Sequence, residues 1–110
     1  MVVKKLVVKI PRGLQPATHA AIFVQKIYSF NSKVMIIKDG RIVCGGKNVM
    51  VSSQLTVKVM GLAIEVGDEI TLIVSGIDEH PTFIALEKFL LNKDHSFLPF
   101  VVEQTKPIDN

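Results

Sequence analysis

Apolar residues along this chain fall into short β-branched runs, which are typical of strands, and into three-to-four-residue spacings, which are typical of helices. The stretch 5–10 is rich in β-branched side chains and stops at Pro-Arg-Gly, which predicts a first strand. Residues 19–30 repeat apolar side chains at spacings of three and four, which predicts an amphipathic helix with Thr18 as its N-cap. The chain therefore opens with a strand followed by a helix.

A hairpin signal and a second strand–helix pair follow. Residues 33–38 and 41–44 are apolar, β-branched runs joined by Asp39-Gly40, a strong two-residue turn signal, and predict two paired strands. Residues 69–75 predict a further strand. A second amphipathic helix is predicted from Asp78 onwards, with an apolar stripe formed by Phe83, Leu86, Phe89 and Leu90.

Residues 47–62 carry two conflicting signals. Ser52 and Ser53 are residue types that cap helices, whereas the valines and threonine of the same segment favour a strand. With this segment left open, the order of elements predicts an α+β domain. Its four-stranded, largely antiparallel sheet carries helices on one face. The other face of such a sheet is left to solvent or to a partner.

Composition narrows the class of protein. The chain has 110 residues, 48% of them hydrophobic, which suits one domain with its own core. Its net charge is +3 and its basic residues are scattered, so nucleic-acid binding is not expected. One cysteine excludes an internal disulfide, and no apolar run approaches the ~20 residues that cross a bilayer, so the expected location is the cytoplasm. Because the His and Cys residues lack metal-ligand spacing, neither a metal nor a cofactor is expected.

An ordered set of segments resembles the HPr family, the small phosphocarriers of the bacterial sugar phosphotransferase system. The resemblance covers roughly residues 3–91 and implies that family's open-faced β-sandwich, in the order β-α-β-β-α-β-α. We therefore expect an HPr-like domain over residues 1–92, with an insertion at about 45–58, and a C-terminal extension over residues 93–110. The segments that carry the resemblance are Gly13-Leu14, 20–25, 38–40, 62–70 and 76–79.

The resemblance places Gln15 where the family carries its phosphoryl group on a histidine. The family motif is Gly-Leu-His-Ala-Arg-Pro-Ala, whereas residues 13–20 here form a loop that is one residue longer and has no arginine after Arg12. A glutamine amide lacks the nucleophilic nitrogen that forms a phosphoramidate, so carrier chemistry is expected to be absent. His19 is the alternative phosphoryl acceptor, because N–H groups at a helix start favour an anion.

The family's second regulated residue is a serine at the start of a short helix. Counting forward from the hairpin places Asn48 there, and counting backward from Leu62 places Leu55 there, which indicates the insertion. Ser52 and Ser53 lie within that insertion and are candidates for regulatory phosphorylation. The alternative is that they only cap the helix.

A glutamine in place of the histidine also resembles the catabolite-repression HPr-like paralogues of the family. The expected function is a protein-binding, regulatory module with no independent catalytic activity. Family partners are proteins of the phosphotransferase system and a transcriptional regulator. The alternatives are a phosphocarrier that uses His19 and a nucleic-acid-binding α+β domain. The apolar C-terminal extension suggests a homodimer. The expected docking residues are Gln15, Ala20, Phe23 and Met60.

Overall fold

The computed structural model describes residues 1–94 as an α+β domain with the predicted element order. The predicted C-terminal extension, apart from its first two residues, lies outside the described residues. No helix within residues 1–94 is long and apolar enough to span a bilayer. The elements are β1 (Val2–Val7), α1 (Ala17–Tyr28), β2 (Lys33–Lys38), β3 (Arg41–Gly45), α2 (Ser52–Gly61), β4 (Glu69–Ser75) and α3 (Glu79–Leu90).

The four strands form one antiparallel sheet in the order β1-β4-β2-β3. The central strand β4 pairs on both sides, so Leu72 lies between Lys4 of β1 and Ile36 of β2. The hairpin between β2 and β3 turns through Asp39 and Gly40, whose φ angles of 51° and 77° are those that a two-residue turn of this hand needs. The sheet therefore matches the predicted fold class.

The hydrophobic core lies between one face of the sheet and the three helices. Phe23 of α1 and Phe89 of α3 are fully buried with ring centroids 6.3 Å apart, and they join the two helices. The predicted apolar stripe of α3 is buried as expected. The sheet contributes the inward-facing side chains Leu6, Val34, Ile36, Ile70, Leu72 and Val74.

The first strand and the first helix both begin earlier than predicted. β1 starts at Val2, whose register partner on β4 is Val74. Beyond Val7 the chain leaves this ladder, and the N–H of Ile10 donates to the carbonyl of Leu90 at the end of α3, at 3.0 Å. Helix α1 starts at Ala17, and its N-cap is Pro16 rather than Thr18, because proline already has the φ of −64° found there.

The ambiguous segment contains helix α2. Its N-cap is Val51, and no side chain caps it, so the expectation of a serine N-cap was wrong. Leu55 and Val59, four residues apart, are both fully buried. Leu55 packs so closely on β3 that a Cβ added at Gly45 would lie 2.2 Å from one of its methyl groups. The free energy gained by burying Leu55 and Val59 on one helical face therefore outweighs the β propensity of the valines in this segment.

Candidate functional site

The loop that enters α1 is fixed by a close backbone approach at Gly13. The N–H of Leu14 donates to the carbonyl of Ile64 at 2.9 Å, and the Leu14 side chain is fully buried. Gly13 has a φ of +58°, and a Cβ added there would lie 2.3 Å from the same Ile64 oxygen. Only glycine fits this position without a shift of the loop, so the backbone that presents Gln15 is held rigidly.

Gln15 is exposed at the tip of this loop, and its amide is paired with a carboxylate. The Nε2 group donates to Oε2 of Glu65 at 2.9 Å. Arg12 and Val66 complete the shallow depression that these two side chains line. An amide offers no nucleophile there, and the carboxylate of Glu65 opposes the negative charge of an incoming phosphoryl group.

His19 lies in the first turn of α1, half-buried and turned towards the loop. Its Nδ1 is 2.9 Å from the carbonyl oxygen of Gly13. Because a carbonyl only accepts hydrogen bonds, Nδ1 must carry the proton and donate it. The ring also meets Phe89 edge to face, with centroids 6.5 Å apart and an interplanar angle of 84°. His19 thus connects the loop to the core, and in this tautomer the ring lone pair lies on Nε2 rather than on Nδ1.

Two of the four expected docking residues are not on the surface. Ala20 and Phe23 are fully buried in the core, so the expectation that they contact a partner was wrong. The apolar face of α1 that suggested docking is the face that enters the core, where α2 and α3 are its neighbouring helices. Gln15 is exposed, and Met60 is 37% exposed.

Sequence reasoning missed three exposed apolar side chains, two along α2 and one beside Gln15. Val51, the N-cap of α2, is 61% exposed, and Val57 within the helix is 69% exposed. Val66, beside Gln15, is 53% exposed. The signal that could have found Val57 is its position off the Leu55–Val59 stripe, which points it away from the core.

The serine candidates lie at the opposite end of α2 from Met60. Ser52 and Ser53 are the first two residues of the helix, and both are exposed. Asn48 is exposed in the preceding loop, whereas Leu55 is fully buried. Of the two positions aligned with the family serine, only that of Asn48 is accessible to another protein.

The segment that carries Glu65 is anchored by an ion pair between Lys38 and Asp68. The Nζ of Lys38 lies 2.8 Å from Oδ2 of Asp68 and donates to the carbonyl of Ala63 at 2.7 Å. The same carboxylate accepts the N–H of Glu65 at 2.8 Å. The Lys38 hydrogen bond, followed by the Glu65 N–H, holds the pKa of Asp68 below its ordinary value.

A second carboxylate joins the end of the α1–β2 turn to the start of α3. Asp78 accepts hydrogen bonds from the hydroxyl of Ser32 at 2.5 Å and from the N–H of Asn31 at 2.9 Å. These bonds, that of Ser32 foremost, hold the pKa of Asp78 below its ordinary value. Within residues 1–94, no three His, Cys, Asp or Glu side chains are grouped so that they could hold a metal ion.

Comparison with known proteins identifies similar chains. Residues 2–92 match the family model described as the PTS HPr component phosphorylation site. The chain is 42% identical over 90 residues to the HPr-like protein Crh of Halalkalibacterium halodurans, covering 82% of this chain and 96% of that protein. It is 33% identical over 93 residues to the phosphocarrier protein HPr of Treponema pallidum, covering 84% and 96%.

Solved structures give the same result at the level of the fold. The crystal structure of a phosphocarrier protein HPr from Bacillus anthracis superimposes with a TM-score of 0.69. The two sequences are 31% identical, and the match covers 81% of this chain and 95% of the other.

Proposed function

The chain belongs to the HPr family of the sugar phosphotransferase system, and from that premise we propose that it is a protein-binding regulator that does not carry a phosphoryl group on histidine. The observation that carries this proposal is the Gln15–Glu65 hydrogen bond at 2.9 Å. The groups at the tip of the loop are therefore a non-nucleophilic amide and a carboxylate. Both features oppose phosphoryl transfer at this point.

His19 does not replace the missing nucleophile in this proposal. Its Nδ1 donates to the Gly13 carbonyl, so attack through that atom requires the hydrogen bond to break and the proton to leave. Arg12 is the one arginine of residues 11–20, and it shares the depression with the carboxylate of Glu65, whose negative charge offsets its own. The hydrogen bond to Gly13 and the edge-to-face packing on Phe89 support a structural role for His19.

The proposed docking surface consists of the loop tip and the outward side of α2. We define it by the exposed residues Gln15, Val57, Met60 and Val66. Residues 62–66 connect the end of α2 to the depression beside Gln15, so the polar and apolar parts adjoin. Exposed apolar side chains next to a few polar ones are typical of the centre of a protein interface.

The proposed partners are proteins of the phosphotransferase system or a transcriptional regulator. The similarity to HPr-like proteins named Crh supports a regulatory role over that of a carrier. The family match over residues 2–92 supports a domain that ends near residue 92, with residues 93–110 as an extension.

Phosphorylation of Ser52 or Ser53 is a second, compatible proposal. Both hydroxyls are exposed in the first turn of α2, where the helix dipole stabilises added negative charge. Lys47 lines the same shallow groove as Ser52 and supplies a nearby cation. A phosphate here would alter the α2 end of the docking surface.

The docking proposal is tested by titrating ¹⁵N-labelled protein with purified candidate partners and following amide chemical shifts. Shifts are expected to cluster at Gln15, Val57, Met60 and Val66. Met60→Asp should weaken binding at least about tenfold, since it places a charge within an apolar contact. The matched control is Ile84→Asp on α3, a residue 50% exposed and away from this surface. Equal loss in both variants, or shifts confined to other elements, would refute the proposed surface.

A further inference from the structure

The sheet face that points away from the helices carries an apolar row across all four strands. Along β4 the side chains alternate, so Leu72 and Val74 enter the core and Ile73 between them points to the opposite face. The register places Val3 and Met35 on either side of Ile73, and Cys44 next to Met35. The row runs Val3, Ile73, Met35, Cys44.

The neighbouring row extends this apolar surface. It consists of Lys5, Thr71, Ile37 and Ile42, in strand order. Val3 and Ile42, on the two edge strands, are 57% and 56% exposed. A solvent-facing sheet surface is normally polar. We call these two rows the open face; in residues 1–94 the helices pack on the other side of the sheet.

The two ends of the open face carry opposite charge. Beyond the row of Ile37 and Thr71, the next outward position on β4 is Glu69, and Asp39 lies at the same end of the sheet, in the turn between β2 and β3. At the other end, Lys33 lies opposite Ser75. Asp39, Glu69 and Lys33 are all exposed. One end therefore carries two carboxylates, with Lys5 of the edge strand in the adjacent row, and the other end carries Lys33.

We propose that the open face binds a second copy of this chain. Two twofold arrangements can place this face against itself. An axis parallel to the strands would set the acidic end of one copy over that of the other, which is repulsive. An axis across the strands lays β4 over β4 and β2 over β2 with their directions reversed, so the end that carries Glu69 and Asp39 lies over the end that carries Lys33, twice. The charges therefore select the arrangement with the strands of the two copies reversed, and β4 covers β4.

The chain's own C-terminal segment is a poorer occupant. Its starting point, Asp94, is held by Lys26 of α1 at 2.6 Å, on the helical side of the sheet. A path around the sheet edge to the open face must pass a helix layer and the sheet, roughly 20 Å or about six residues. A path of that length equals residues 95–100, so Phe97 and Phe100, two of the segment's large apolar residues, would not reach the open face. A second copy needs no such path.

The size of the open face sets the strength of the dimer. Four strands about 4.8 Å apart and about six residues at 3.3 Å each give a footprint of roughly 400 Å² per copy. Specific, stable interfaces bury about 800 Å² per partner, so this one is expected to be weak and reversible. Lys5, at the edge of the face, can extend its ammonium group into water from there.

The test is analytical ultracentrifugation of the full chain from about 5 to about 500 μM, a range chosen for weak association. A monomer–dimer equilibrium is expected. Ile42→Lys should raise its dissociation constant at least about tenfold, since it buries a charge in the contact. The control Ile84→Lys, at a residue 50% exposed on α3, should leave it unchanged. Circular dichroism checks that each variant is folded.

Charge exchange tests the arrangement itself. In an Asp39→Asn background, which keeps the turn residue type and removes its charge, Lys33→Glu and Glu69→Lys should each weaken the dimer, and the double exchange should restore it, with the difference shrinking at high salt. A chain that stays monomeric throughout the range would overturn the proposal. Equal dissociation constants for Ile42→Lys and Ile84→Lys would place any dimer on another surface, such as the C-terminal segment. A double exchange without recovery would refute the reversed arrangement.

Discussion

The close approach at Gly13 makes the loop unusually sensitive to one methyl group. Gly13→Ala introduces a Cβ 2.3 Å from the carbonyl oxygen of Ile64, a backbone atom that cannot rotate away. Gly40→Ala is a matched control, because Gly40 also has a positive φ, +77°, but has no atom within 4 Å of the added Cβ. The two substitutions differ in the steric contact and share the backbone strain.

The free energies can be estimated from these contacts. A left-handed φ costs an alanine about 1 kcal/mol relative to glycine, and this applies to both variants. At Gly13 the loop must also withdraw from Ile64, which loses the Leu14 N–H bond of 2.9 Å and loosens the fully buried Leu14 side chain. Losing that bond and repacking the leucine add about 2 kcal/mol. Gly13→Ala should therefore cost about 3 kcal/mol, against about 1 kcal/mol for Gly40→Ala.

Urea unfolding followed by circular dichroism measures the difference. With a denaturant slope of about 1–2 kcal/mol per molar for a chain of this size, the midpoint of Gly13→Ala should lie at least about 1 M below that of Gly40→Ala. Nitrogen chemical shifts of His19 give a second measurement, since the shifted Gly13 carbonyl should no longer hold the proton on Nδ1. Equal midpoints for the two variants would refute the claim that Ile64 fixes the loop.

Two further predictions concern the domain as a whole. The Ser32 hydroxyl lowers the pKa of Asp78 in the folded protein, so the ionised carboxyl stabilises the fold. This stabilisation is complete above the pKa that Asp78 has in the unfolded chain, and it is lost as the pH falls through the lower pKa of the folded state. Urea midpoints should therefore drop below about pH 4, and less steeply in Asp78→Asn; an unchanged acid slope would contradict this. Leu72→Ala, at a fully buried position, should cost about 2–5 kcal/mol in urea unfolding. Ile77→Ala, at a residue 94% exposed, should change stability by less than about 0.5 kcal/mol, and similar costs for the two would contradict the assigned core.

The elements that the sequence predicted well are those in which burial and local propensity agree. Residues 69–75 form a strand with the predicted bounds, because alternate residues enter the core and the strand ends at glycine. The stripe of α3 was equally clear. β1 was placed too late because Val8 and Ile10 are as buried as true strand residues, although they lie beyond the ladder. Burial alone does not distinguish a paired strand from an extended segment that crosses the end of the core.

The candidate site was predicted only in part for a similar reason. Gln15 could be identified because its loop follows a recognisable sequence order. Its partner Glu65 is 50 residues away and is brought there by the backbone contact of Gly13 with the segment after α2. Ala20 and Phe23 were assigned to docking because an apolar helix face looks the same in sequence whether it covers a core or a partner. Tertiary packing decides which of the two it does.

The central claim, that this HPr-family chain does not carry a phosphoryl group on histidine, is tested most directly by intact-mass measurement. The protein is incubated at neutral pH with phosphoenolpyruvate and enzyme I of the phosphotransferase system, beside an HPr that this enzyme I phosphorylates. A gain of about 80 Da, one phosphoryl group, is expected for the control HPr and no gain for this chain. An acid-labile gain in this chain that disappears in His19→Ala would contradict the account and make His19 the carrier.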